Sequence, residues 1–171
     1  MKPHSQQILS VLDVYGEHGW HGELIDGADV IQAVFETHHT NIELISQAYV
    51  ALNALCICAE CPYDIPRTHF SAAMELFMRA NKFLNLGNFE YDLDRSRVIF
   101  RITNIFANET FDKDIVSAMA HTAIAEIDRF SPFLGVLLQT PAELLKDLSI
   151  ERLLMREDII PPVPEEEEES L

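Results

Sequence analysis

Three cysteines within six residues, in the stretch "CICAEC" from Cys56 to Cys61, form the densest concentration of potential chemistry in the chain. Thiolates close in sequence are the ligands of zinc and copper sites, and Cys58-x-x-Cys61 has a ligand-like spacing. In an extended strand, however, Cys56 and Cys58 point to the same face, where cysteine packs as a small hydrophobe. A zinc site needs a fourth ligand, and the chain holds no second C-x-x-C. Three is also an odd number, poor material for a disulfide framework. The expectation is packed thiols without a bound metal. A metal- or small-ligand-binding sensor using Cys56, Cys58 and Cys61, with His38 or His39, is the alternative.

The histidines offer less. His18 and His21 flank Trp20 in the glycine-rich "GEHGWHG", and His38–His39 stand at the end of a predicted strand. Neither pair has the helical spacing or neighbouring acid of a recognised metal motif, so both are expected as surface histidines of turns. His121 falls among small residues of a predicted helix and is expected as a partly buried core or edge histidine. There is no G-x-S-x-G, no P-loop and no G-x-G-x-x-G, and no cysteine has the flanks of a known protease nucleophile. No catalytic, cofactor-binding or metal residue is assigned, and the chain is expected not to be an enzyme.

A third concentration is charge. The hairpin-like "GNFEYDLDRSRVIFR" (Gly87–Arg101) carries Asp92, Asp94, Arg95 and Arg97 around its centre, where opposite charges this close neutralise each other in water for little energy. The run Glu165–Glu169 is either a docking element for a basic partner or a solvated tail. The formal net charge of −16 over 171 residues, of which that run supplies only five, repels phosphate backbones and anionic lipid. Nucleic acid and membrane surfaces are therefore not expected partners. No apolar run reaches the about 20 residues needed to cross a bilayer, and no signal-peptide pattern opens the chain, so a cytoplasmic location is expected.

The elements that must position these residues are readable from periodicity. Ser5 is a suitable N-cap for a helix to Tyr15, ended by Gly16, Gly19 and Gly22. Three segments rich in β-formers then predict an antiparallel meander from about Val30 to Glu60. Pro66 suits the first turn of a helix with Phe70, Ala73, Met74, Phe77, Asn81 and Leu84 on one face, and Gly87 suits its C-cap. In the following hairpin Phe89, Tyr91 and Leu93 alternate with Asn88, Glu90 and Asp92, before the returning "RVIFRITNIF". A long helix begins near Asp112 with Val116, Met119, Ala120, Ala123, Ile124, Ile127 and Phe130 as its buried stripe. Pro132 should kink or restart it. "TPAE" suggests a capping box at Thr140–Glu143 for a short helix to Leu148. From Ile159 the proline-rich, acid-ended sequence predicts disorder. The expected organisation is one domain over 1–150 and a C-terminal extension over 151–171.

This order (helix, three strands, helix, two strands, long helix) predicts an α+β fold with one antiparallel five-stranded sheet and helices packed on it. It is the order of the type III secretion chaperone-like fold. "RANKFLNLGNFEYDLDRSRVIFR", with Asn81, Leu84, Gly87, Phe89, Leu93, Val98 and Arg101, resembles the YbjN family, described as bacterial sensory-transduction regulators. Gly19–Trp20 and "DRFSPFL" fit as well, so the resemblance spans about Ser5 to Leu138. "CICAEC" and the acidic tail lie outside the family pattern. The resemblance implies no catalytic residues, only the fold and a regulatory or chaperone-like role. On that basis the expected function is a non-enzymatic, cytosolic protein-binding module. It would receive a client segment by strand addition or helix docking, and by analogy with the fold it would be a homodimer.

Overall fold

The computed structural model describes residues 3–61 and 63–160; the run Glu165–Glu169 lies outside the described residues. Helices α1 (Gln6–Glu17), α2 (Phe70–Asn81), α3 (Lys113–Gln139) and α4 (Ile150–Leu154) accompany six strands. The strands are β1 (Gly22–Leu24), β2 (Val30–Glu36), β3 (Asn41–Tyr49), β4 (Ala54–Cys61), β5 (Asn88–Asp92) and β6 (Arg97–Ile105). They form one antiparallel sheet in the order β1-β2-β3-β4-β6-β5. The fold is thus α+β with helices on a single sheet, as the periodicity predicts. The sheet has six strands rather than five, because the three-residue β1 follows directly on the glycine-rich turn. A three-residue strand is too short to show alternation. Its Gly22 packs so closely that a Cβ would lie 2.8 Å from Ile31 Cγ2 and 3.0 Å from the Tyr15 ring.

All four helices contribute to the core on one side of the sheet. Ile8, Val11 and Tyr15 of α1, Leu76 and Phe77 of α2, Val116, Ala123 and Leu134 of α3, and Leu153 of α4 meet Ile31, Leu44, Ile57 and Phe100 of the strands. The other side, with Val34, Ile45, Cys56, Cys58 and Arg101, carries no helix among the described residues. Alternation along each strand produces this division, since every second side chain turns away from the helices. Tyr15 is fully buried, and its hydroxyl reaches Ser46 at 2.7 Å. Burial pushes this phenol up to about 12, against the opposing effect of the Ser46 bond.

Helix boundaries obey local hydrogen bonding more closely than composition. Ser5 caps α1, its hydroxyl accepting from the Ile8 amide at 3.2 Å, and Asp112 caps α3 by accepting from Ile115 at 3.1 Å. Pro66 does not start α2: it opens a hydrogen-bonded turn, and helix begins only at Phe70. The intervening His69 is turned across the molecule onto the Thr140 carbonyl at 2.8 Å. Gly87 is not the C-cap either. The helix closes at Asn81 and Lys82, and Gly87, at φ +71°, admits the chain to β5 where an added Cβ would strike Phe100 at 2.4 Å.

Pro132 does not restart α3, which runs unbroken for 27 residues. Proline removes the amide that would bond the Asp128 carbonyl four residues back. The Ser131 hydroxyl takes its place, donating to that carbonyl at 3.0 Å. Thr140 does not start a capping box, because its hydroxyl already donates to Val136 at 2.8 Å; a 3-10 helix over Ala142–Asp147 follows. Beyond it, α4 packs on α2 with Ile150 and Leu153 buried. Ile159 and Ile160, expected in the disordered tail, pack against the core.

Candidate functional site

The structure does not gather the three cysteines. Cys61 turns to the helix side and is 2% exposed, and burial pushes its thiol up to about 11. Cys56 and Cys58 turn to the open side with their sulfurs 3.7 Å apart. Opposite Cys58 on β6 stands Arg101, whose guanidinium donates to Cys56 Sγ at 3.1 Å. Its Nε is held by Glu90 of β5 at 2.9 Å, and Glu90 also accepts from Asn88 at 3.0 Å.

This arrangement splits the two thiols. The bond with Cys58 lowers the Cys56 thiol against the effect of burial, and bonds from Thr103 and Arg101 assist, so that it falls to about 5. Cys58 is pushed far up, first by that same bond and then by burial and by the charge on Cys56. The two thiols are thereby driven apart, Cys56 downward and Cys58 upward. For Glu90, burial raises the carboxyl, but the Arg101 and Asn88 bonds outweigh it and the net shift is downward. Among the described residues no group of three or more His, Cys, Asp and Glu side chains converges as a metal site.

The histidines divide in ways their types did not announce. His38 is exposed, but His39 is a partly buried anchor with its side chain only 8% exposed. Its ring Nδ1 lies 3.0 Å from Asp128 Oδ2, while its amide and the Thr37 hydroxyl each donate to Oδ1 at 2.7 Å. Asp128 thereby ties the β2–β3 turn to α3. His121 is exposed rather than partly buried, and bonds back to the Ser117 carbonyl at 2.9 Å. His18 stacks on Trp20 at 4.6 Å, and its Nε2 lies 2.9 Å from Ser117 Oγ. His21 is exposed.

The charged hairpin does not neutralise itself. Asp92 spends one carboxylate oxygen on the amides of Asp94 and Arg95, at 2.9 and 3.0 Å, and Ser96 takes the left-handed conformation at φ 55°. Arg95 reaches out to both carboxylate oxygens of the buried Glu60, and Arg97 to Asp64 at 3.1 Å. Leu93 belongs to the turn and is 74% exposed instead of facing the core.

A second feature had no counterpart in the sequence reading. The end of α2 and the loop after it, with α3 and α4, enclose an open groove of about 670 Å³. Its walls include Leu84, Phe89, Phe130, Phe133 and Leu154, with Phe83, Leu86 and Met155 standing exposed at its margin. Thr122, Glu126 and Arg129 form its polar side. The available signal was "KFLNLG": an apolar run that outlasts the helical stripe of α2 and so cannot all be buried by it. No protein-family model matches the chain, and no curated protein matches it.

Proposed function

We propose that the protein is a non-enzymatic binding module that receives an apolar segment of a client protein in the groove between α2, α3 and α4. The observation that carries this reading is the grouping of Phe83, Leu86 and Met155, 73%, 64% and 68% exposed, around a concave apolar surface. Large apolar side chains clustered in the open mark interaction sites more often than isolated ones do. A groove flanked by helices suits an amphipathic helix, whose anchors recur every three to four residues. Most of the lining is apolar, with Thr122, Glu126 and Arg129 confined to one side, which suits surface complementarity to an amphipathic segment.

The resemblance to the YbjN family supports a regulatory or chaperone-like role for such binding, in the cytoplasm and in a homodimer. A peptide-display selection against the purified chain tests the groove directly. Enriched amphipathic peptides should bind the wild type and lose binding to a Phe83→Asp/Met155→Asp variant. Peptides that bind both forms equally, or no enrichment, would remove the groove as the docking site. Sedimentation at the monomer mass would remove the homodimer.

A further inference from the structure

We propose that Cys56 and Cys58 form a two-thiolate site for a single thiophilic monovalent cation of the Cu(I) class, beside the Arg101 guanidinium. The argument starts from what two parallel thiols on one strand can and cannot reach. A disulfide would require their sulfurs, 3.7 Å apart, to close to about 2.05 Å. Residues two apart on a strand have Cα atoms about 6.6 Å apart, at the far edge of the range disulfides accept, with Cβ vectors running side by side. Oxidation therefore works against the sheet.

A bound cation works with it. With metal–thiolate bonds of about 2.3 Å, two sulfurs on opposite sides of one ion stand about 4.6 Å apart. That is an opening of less than an ångström from the 3.7 Å in place, within reach of small side-chain rotations. Zinc would demand two further ligands; Glu90, the carboxylate on this face, is engaged by Arg101 and Asn88, and no group of three or more ligand-type side chains converges among the described residues. A soft d10 cation with a preference for thiolates is satisfied by two.

Both sulfurs bind as thiolates, so the protons they still carry leave as the cation is taken up. The bis-thiolate complex carries one negative charge and faces the Arg101 guanidinium, whose positive charge it shares with the Glu90 carboxylate. Glu90 holds that guanidinium in place from β5. Cys61, on the other side of the sheet, takes no part. The site is independent of the groove, which lies on the helix side.

Anaerobic titration of the reduced, untagged full chain with Cu(I), in competition with a chromophoric Cu(I) chelator, tests the proposal. One Cu(I) per chain should be retained against the chelator, with a thiolate-to-copper charge-transfer band in the ultraviolet. Retention should vanish in Cys56→Ser and in Cys58→Ser and persist in Cys61→Ala. Arg101→Gln should weaken it by about tenfold, the scale on which outer partners tune metal affinity. A wild-type chain that surrenders all its copper, or retention unchanged in the double Cys56→Ser/Cys58→Ser variant, would overturn the site. Should the variants lose their fold by circular dichroism, alkylation of the wild type decides. Cu(I) must then protect Cys56 and Cys58 from iodoacetamide, and equal labelling with and without copper would sink the idea.

Discussion

The two faces of β4 use the same residue for opposite ends. Cys61 on the helix side is surrounded by apolar side chains and held as a neutral thiol, a piece of core. Cys56, five residues earlier on the open side, is nearly as well buried but sits against Arg101 and a second thiol, and its thiol is pulled down. Burial alone therefore does not set the chemistry of a cysteine. What decides it is whether the buried sulfur faces carbon or faces donors. The same contrast runs across the whole sheet. The helix side is closed by packing, while the open side is closed by its own long side chains, with Arg95 over Glu60 and Arg101 over Cys56.

The largest expected contrast is chemical. At pH 7 one thiolate per chain should absorb in the ultraviolet and should persist until the pH falls through about 5, because the Cys56 acid form is the disfavoured one. Cys56→Ala should remove that signal and Cys61→Ala should leave it. A native chain with no thiolate at pH 7 would erase the distinction between the faces. In stability, the largest effect belongs to the helix side. Phe89 is 4% exposed and its ring lies 4.2 Å from that of Phe130, so Phe89→Ala should cost about 3–5 kcal/mol in a denaturant melt. At the small end, Arg97→Gln breaks only an ion pair to Asp64, whose side chain is 82% exposed, and should shift stability by at most about 0.5 kcal/mol. A larger loss for Arg97→Gln than for Phe89→Ala would reverse the assignment of packed and solvated sides.

Much of the frame was legible because it is local. The meander of β2, β3 and β4, the hairpin of β5 and β6, and the caps Ser5 and Asp112 follow from alternation and from side chains acting on amides three residues away. What could not be read depends on partners far along the chain. Asp128 lies 89 residues from the His39 whose amide it accepts, so nothing near "HH" distinguishes the anchored histidine from the exposed one. Arg95 finds Glu60 across 35 residues rather than its neighbours in the hairpin. Pro132 misleads for a subtler reason: the rule that proline breaks a helix assumes the freed carbonyl stays unpaired, and Ser131 supplies the missing donor. The groove escaped because it belongs to three helices at once.

Asn81 has a consequence for assembly. Its side-chain amide donates to the Phe89 carbonyl at 3.0 Å, and its oxygen accepts the Phe89 amide at 2.7 Å. β5 is the outermost strand beyond β6, so these two backbone groups belong to the rim of the sheet. A single side chain thus imitates one rung of a further strand and plugs the rim near the start of β5. A second chain seeking to extend the sheet there finds that rung taken. The molecule is thereby guarded on that border against edge-to-edge growth, and what binds it is directed toward side chains instead of backbone.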